Sequence, residues 1–248
     1  MSDSWEWPEV QSLVGSIYDP PSFFAKATAE TLPIQPGKTR ILDVGCGRGV
    51  IGLWALLRKG AAFVTFTDLE MSALAETRAN VARQIYLGTI LESQVAFTPP
   101  LSVSNISWRQ AAEHDLVVFN APQLPIRDIA TEDLERMMAT PSARSFRNGG
   151  ADGLDIIRLF VGWYASLPLP KPLAVLGISS FLGWSTISEV FRTAGLDAEV
   201  IHRTPVPLRT QLCEKADSLI ASPSELIDRA LTKVKNRWFK EILTVKAS

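Results

Sequence analysis

The chain has 248 residues, of which 46% are hydrophobic and 21% charged, and a formal net charge of −1. This is the make-up of a globular protein with one good core; it excludes a disordered chain, and the near-neutral balance argues against a broad electrostatic footprint for duplex nucleic acid. The two cysteines, Cys46 and Cys213, have neither disulfide nor metal-ligand spacing, and no basic leader or membrane-spanning apolar run is present; a soluble cytoplasmic protein without metal or membrane partner is expected, with a homodimer left open.

Residues 1–38 read as an aromatic-rich lead-in cut by Pro20, Pro21, Pro33 and Pro36, with a helix expected over 23–30. This segment is the candidate lid, and residues 39–248 are expected to form one domain. A strand over 41–44 is followed by a helix from 49 to about 59, a strand over 62–67 and a helix from about 71 to 83. Such alternation predicts a parallel sheet with right-handed crossovers. The next strand is either Gln94–Phe97 or Asn105–Trp108, and the pattern leaves both open. Asp115–Phe119 and Leu173–Ile178 are apolar enough for buried strands, with a polar loop and a helix from about Leu154 to Ser166 between them. A helix from Ser185 to Thr193 should close at Gly195, before a strand near Glu199–His202. Ser222-Pro223-Ser224-Glu225 fits a capping box, so a helix is expected from there to about Arg237, returning as an edge strand over Phe239–Val245.

Chemistry concentrates first at Asp43-Val44-Gly45-Cys46-Gly47-Arg48-Gly49. Glycines at alternate positions can take positive φ and leave main chain open to a ligand, and a strand-to-helix join points amide groups at it. The spacing differs from the dinucleotide fingerprint, and an acid at Asp43 would oppose a pyrophosphate. The second strand ends at Asp68, where a carboxylate can accept both hydroxyls of a ribose. The Asp-x-Gly-x-Gly-x-Gly turn resembles motif I of class I S-adenosylmethionine-dependent methyltransferases. The run from Asp68-Leu69 through Ala73-Leu74 to Asn80 is similar to the second motif of that family.

That resemblance implies an α/β, Rossmann-like fold with a seven-stranded, mostly parallel sheet, helices on both faces and a short N-terminal lid. It implies S-adenosylmethionine as cofactor, held by Asp43, Gly45, Cys46, Gly47, Asp68, Leu69 and Asn120. Asn120-Ala121-Pro122-Gln123, at the end of a strand, resembles the Asn-Pro-Pro-aromatic motif of nitrogen methyltransferases. An asparagine oxygen with a following carbonyl can accept two N–H bonds and so aim a nitrogen lone pair. Gly149-Gly150-Ala151-Asp152-Gly153 is similar to a segment of HemK-type enzymes, which methylate a glutamine side chain in release factors, and Tyr18-Asp19-Pro20 looks like their lead-in.

Two departures stand out. Ala121 replaces a proline, and Gln123 replaces the aromatic ring that would pack on a flat acceptor. At this length no separate helical domain of the kind that grips a release factor is expected. A small amino-acid-like or specialised-metabolite substrate is therefore expected, with Asn120, Ala121, Pro122 and Gln123 as the catalytic segment. Tyr18, Phe24, Tyr164, Ser179 and Ser180 are the candidate substrate contacts, although a tyrosine at 164 also suits core packing. Arg144 and Arg147 are either carboxylate ligands or solvated loop charges, and His114 and His202 suit structural roles. Two other readings stay open: a cyclase in which the cofactor's own amine attacks its γ-carbon, forming azetidine-2-carboxylate and releasing methylthioadenosine, and a non-catalytic binding module.

Overall fold

The computed structural model describes residues 23–120, 122–132, 135, 149–208, 212–235 and 237–248. Of the expectations above, Tyr18, Ala121, Arg144, Arg147 and residues 1–22 of the lead-in lie outside the described residues. The chain divides into two compact units. One takes in the described residues up to Asn120 together with Pro168–Leu176, the other those of Ala121–Leu167 and Gly177–Ser248.

In the first unit, α1 (Phe23–Thr31), β1 (Arg40–Val44), α2 (Val50–Lys59), β2 (Phe63–Thr67) and α3 (Met71–Tyr86) follow in chain order. They lead to β3 (Val95–Phe97), the short α4 (Trp108–Ala112) and β4 (Leu116–Phe119). With the first half of β5 (Leu173–Ser179), the strands lie in the order β3-β2-β1-β4-β5, all in parallel. Of the two candidates for the third strand, 95–97 is the one that pairs, with Val95 opposite Val64. Residues 105–108 enter a helix instead, because Ser107 and Gln110 form a reciprocal capping box at the start of α4.

The core of this unit sets Ile41, Val64, Phe66, Val118 and Val175 against Leu53 and Trp54 of α2, Leu74 and Val81 of α3, and Ala25 and Ala29 of α1. Leu42, Val117 and Ala174, which point the other way, are just as buried. Burial on both faces explains why these strands are continuous apolar runs rather than alternating ones.

The second unit holds α5 (Asp155–Ser166), the end of β5, α6 (Trp184–Thr193) and β6 (Ala198–Pro207). After these come α7 (Cys213–Ser218), α8 (Pro223–Asp228), β7 (Thr232–Val234) and β8 (Arg237–Ala247). The strand order here is β5-β8-β6, with β7 antiparallel on β8. The seven strands of the expected path are thus present, and β7 adds a short eighth. A separate core gathers Leu124, Ile129, Phe181, Leu208, Leu212, Leu231 and Trp238. Among the described residues, no helix is long and apolar enough to cross a membrane.

Two expectations are corrected in this unit. The final strand is internal, not an edge: β8 lies between β5 and β6, and it buries Ile242, Leu243, Thr244 and Val245 in succession, as a strand covered on both faces does. The helix opened at Ser222 ends at Asp228, not near Arg237. Ser222 makes no side-chain cap, and the Glu225 carboxylate that would complete the box is taken by Arg229 at 2.9 Å. Ala230 then turns left-handed at φ 47, with Leu231 N–H on the Leu226 carbonyl and Ala230 N–H on that of Ile227. This is a Schellman closure with alanine where glycine is usual.

Gly52 sits inside α2, where a Cβ would lie 2.4 Å from the Phe66 ring and 2.8 Å from Val64 Cγ1. Alanine's helix preference, worth about 1 kcal/mol, is therefore outweighed by overpacking against strand β2. Gly52→Ala should lower stability by about 1–3 kcal/mol in urea denaturation; a gain of about 1 kcal/mol, the propensity term alone, would contradict this packing.

Candidate functional site

The strands of the first unit end in step. Val44 pairs with Thr67 on one side and with Phe119 on the other, so Gly45, Asp68 and Asn120 are the next residues at the same edge of three adjacent parallel strands. Strand order reverses at this point, with β2 on one side of β1 and β4 on the other. In open α/β sheets this is where ligands bind.

Between β1 and α2, Gly45, Gly47 and Gly49 have φ values of 64, 55 and 76, a conformation that side chains with a Cβ resist. At Gly49 a Cβ would also fall 2.6 Å from Thr77 Cγ2, whereas at Gly47 it would meet nothing within 4 Å. The first closeness seats the turn on α3. The second leaves main chain open above Gly47. Several bonds fix the turn from outside: Cys46 N–H donates to the Thr67 carbonyl, Thr77 Oγ1 to the Gly47 carbonyl at 2.6 Å and Asn80 Nδ2 to the Arg48 carbonyl at 3.0 Å. Arg48 also pairs with Glu76 at 2.8 Å. Thr77 and Asn80 lie three apart and share a helix face. Asn80 closes the second-motif run in the sequence; Thr77 has no signal there beyond its spacing from Asn80 on one face.

Asp68 does more than end a strand. Its Oδ2 accepts from Gly47 N–H and its Oδ1 from Glu70 N–H, both at 2.9 Å. Each carboxylate oxygen retains a second acceptor position, as a ribose diol requires. Next to it, Leu69 is 62% exposed, an apolar surface beside a polar anchor. The chain after β3 returns to the same place: Leu101 N–H donates to the Asp68 carbonyl, and Thr98 Oγ1 to Thr67 Oγ1 at 2.8 Å. The open main chain at Gly47, the carboxylate of Asp68 and the apolar Leu69 fit a nucleoside.

Asp43 is buried, and its Oδ2 accepts from Gly52 N–H at 3.0 Å. Because the N-cap residue of α2 is Gly49, with no side chain to offer, Asp43 supplies the missing acceptor from the preceding strand. Burial pushes its carboxyl up to about 7, the Gly52 bond opposes this, and the Asp68 charge adds to it. Cys46 lies against the same acids, 3.6 Å from Thr77 Oγ1, and burial raises its thiol well above the ordinary range. A thiol so raised is a poor nucleophile. At the opposite ends of the strands, His114 bridges Thr65 Oγ1 and the Gln110 carbonyl, each at 2.7 Å, and burial lowers its pKa.

Asn120 follows β4 and is half-buried; its side-chain amide has no hydrogen-bond partner among the described residues. Within the second unit, Gln123 is placed differently. Its Nε2 donates to the Gly177 carbonyl and its Oε1 accepts from Ser179 N–H at 2.8 Å, so both ends of the amide are set on the β5 main chain. Gly149 and Gly153 pack against it so closely that a Cβ would lie 2.8 Å from Gln123 Cα and 2.9 Å from the Gln123 carbonyl oxygen, respectively. Ile126 and Arg127 donate to the carbonyls of Gly150 and Ala151, and Arg158 pairs with Asp152. The glycine-rich segment at 149–153 is thus a brace for 122–127.

The other candidate contacts are held by the fold. Tyr164 is fully buried, stacked on Phe160 at 6.1 Å, with its hydroxyl on the Ala247 carbonyl. Ser179 Oγ accepts from the buried Lys240 Nζ at 2.8 Å, and Ser180 Oγ from Glu241 N–H at 2.9 Å. Phe24 lies within α1, and Pro122 is half-buried in the second unit.

Asp43 also predicts a pH effect on stability. Its carboxyl is raised from 3.8 to about 7, so the folded state holds a proton that the unfolded chain has lost. Stability should therefore fall as pH rises from about 4 through 7, then level off. Asp43→Asn should flatten that slope in urea denaturation followed across pH, and an unchanged slope would contradict the burial of an uncompensated carboxyl.

Residues 24–152 match the methyltransferase small domain family. The chain is 32% identical over 163 residues to the release factor glutamine methyltransferase of Deinococcus radiodurans, a match covering 66% of this chain and 53% of that protein. It is 29% identical over 126 residues to ribosomal RNA large subunit methyltransferase G of Colwellia psychrerythraea, covering 51% and 30%. The chain therefore spans about half or less of the length of these curated relatives. Among solved structures, the complex between the Haloferax volcanii Trm112 methyltransferase activator and the putative methyltransferase contains a chain of similar fold. That match has a TM-score of 0.51 at 13% identity and covers 90% of this chain and 87% of that one. The chain belongs to the methyltransferase small domain family, within the class I S-adenosylmethionine-dependent methyltransferases and alongside the HemK-type enzymes.

Proposed function

We propose that this chain transfers the methyl group of S-adenosylmethionine to a nitrogen, or an oxygen, of a small amino-acid-like or specialised-metabolite acceptor. The observation that carries the reading is the alignment of Gly45, Asp68 and Asn120 at the ends of three adjacent strands. When bound, the cofactor supplies an electrophilic methyl on a sulfonium. The chain has to bind, align and exclude water. Asp68 accepts the ribose hydroxyls with the positions left over from Gly47 and Glu70. The open face of Gly47 admits the rest of the cofactor against main chain. Asn120, whose amide has no partner among the described residues, accepts an N–H of the acceptor through Oδ1 and so orients the lone pair, a contribution of several kcal/mol at most.

Gln123 acts in this reading as a positioning residue: its amide fastens the 122–127 segment to β5. Gln123 stands at the motif position where HemK-type enzymes carry a ring, and its side chain is turned onto β5. This supports a small acceptor over a planar amide presented by a protein.

The purified protein, given S-adenosylmethionine and a panel of amino acids and amines, should form S-adenosylhomocysteine only when a suitable acceptor is present. Methylthioadenosine released without any acceptor would overturn methyl transfer in favour of ring closure. Asp68→Ala should weaken cofactor binding by about 1–3 kcal/mol in calorimetry, through loss of charge-assisted hydrogen bonds. Unchanged affinity in a variant with native circular dichroism would refute the ribose assignment.

A further inference from the structure

Strand β8 reaches the segment after Asn-Ala-Pro-Gln by two routes. It packs Trp238 into the core that also holds Leu124 and Ile129. Trp238 is fixed from behind, its Nε1 donating to Asp217 Oδ1 at 3.0 Å. Two residues on, Lys240 is 7% exposed, and its Nζ donates to Ser179 Oγ at 2.8 Å. Glu241 then donates its N–H to Ser180 Oγ at 2.9 Å. On the other side of β5, Gln123 Nε2 donates to the Gly177 carbonyl and Gln123 Oε1 accepts from Ser179 N–H. The side-chain amide thus bonds the residues before and after Ile178, as the peptide of a parallel neighbour strand would. Lys240, Ser179 and Gln123 are consecutive links from β8, through the end of β5, to the motif.

Packing alone does not call for a lysine at this place. Burying an amine is expensive, and a methionine would fill much the same space without that cost. Nor does Ser179 need Lys240 for want of a donor, because Phe181 N–H reaches Ser179 Oγ at 3.3 Å. That bond is local to the turn after β5 and ties it to nothing else. Lys240 supplies the tie to β8. We propose that Lys240 is a positioning residue for the methyl acceptor: acting through Ser179, it fixes the amide of Gln123 and with it the 122–127 segment. Lys240 lies outside residues 24–152, which match the family, so the C-terminal part of the chain provides this support. The inference rests on the role given to the 122–127 segment under Proposed function.

Initial rates of the whole protein test this, measured at saturating S-adenosylmethionine with an acceptor that the panel of amino acids and amines yields. Lys240→Met should lower kcat and kcat/KM for the acceptor together, by about ten- to a hundred-fold, the loss expected when a bound reactant is misplaced. Affinity for S-adenosylmethionine in calorimetry should stay within about two-fold, since the residues assigned to it make none of these bonds. Lys240→Arg, which keeps a donor, should regain most of the rate. Ser179→Ala cuts the same link from its other end and should cost as much, and combining it with Lys240→Met should be no worse than either change alone. A wild-type kcat in Lys240→Met, losses that multiply in the double variant, or cofactor affinity falling in step with the rate would each overturn the proposal. Should Lys240→Met fail to fold, Ser179→Ala decides: a wild-type kcat there overturns the proposal as well. If the wild-type chain methylates no acceptor in the panel, the reading under Proposed function falls and this inference with it, whereas wild-type turnover that Lys240→Met retains sinks the inference alone.

Discussion

The hydrogen bond from Gly47 N–H to the Asp68 carboxylate holds the site together. It joins the turn after β1 to the tip of β2, and through Glu70 N–H the same carboxylate fixes the entry to α3. That helix in turn supports the carbonyls of Gly47 and Arg48 through Thr77 and Asn80. Three positive-φ glycines in five residues would otherwise be a costly segment to order, since glycine loses the most backbone freedom on folding. The geometry is made before any ligand arrives, which lowers the ordering cost of binding.

A second brace works in the other unit. Gln123 binds the β5 main chain on both sides of its amide, and Gly149 and Gly153 allow their backbones to lie against it. β5 is held from its far side by Lys240 on Ser179 and by Glu241 on Ser180. The contrast between Asn120 and Gln123 is chemical: both carry amides, yet that of Gln123 is spent on the β5 main chain, whereas that of Asn120 has no hydrogen-bond partner among the described residues. A motif that differs from its family at Ala121 and Gln123 can in this way keep its asparagine while giving up the ring beside it.

Much of this was legible in the sequence where the signal is local. The glycine turn, Asp68 and the order of strands and helices through α3 follow from residue spacing, as does the closure of α6 by Gly195 at φ 72; the third strand was left open between two segments, one of which enters α4. What stayed hidden depends on distant partners. Nothing near Asp43 announces that its acceptor role is for Gly52, and the duties of Thr77 and Asn80 exist only once α3 lies against the turn. Ala230 shows a different limit: it adopts the left-handed form that glycine usually signals, at a cost of about 1–2 kcal/mol, so the end of α8 had no marker. The internal position of β8 was likewise a matter of pairing, which hydrophobic pattern alone leaves open between an edge and an inner strand.

The central claim is that the glycine turn and Asp68 form one preorganised pocket for the nucleoside of S-adenosylmethionine. A crystal structure of the protein with S-adenosylhomocysteine tests it most directly. The ribose hydroxyls should lie within hydrogen-bond distance of Asp68 and the ligand chain over Gly47, with the bonds from Gly47 and Glu70 to Asp68 unchanged. A nucleoside bound elsewhere, or an Asp68 carboxylate that abandons the turn to reach it, would contradict the account.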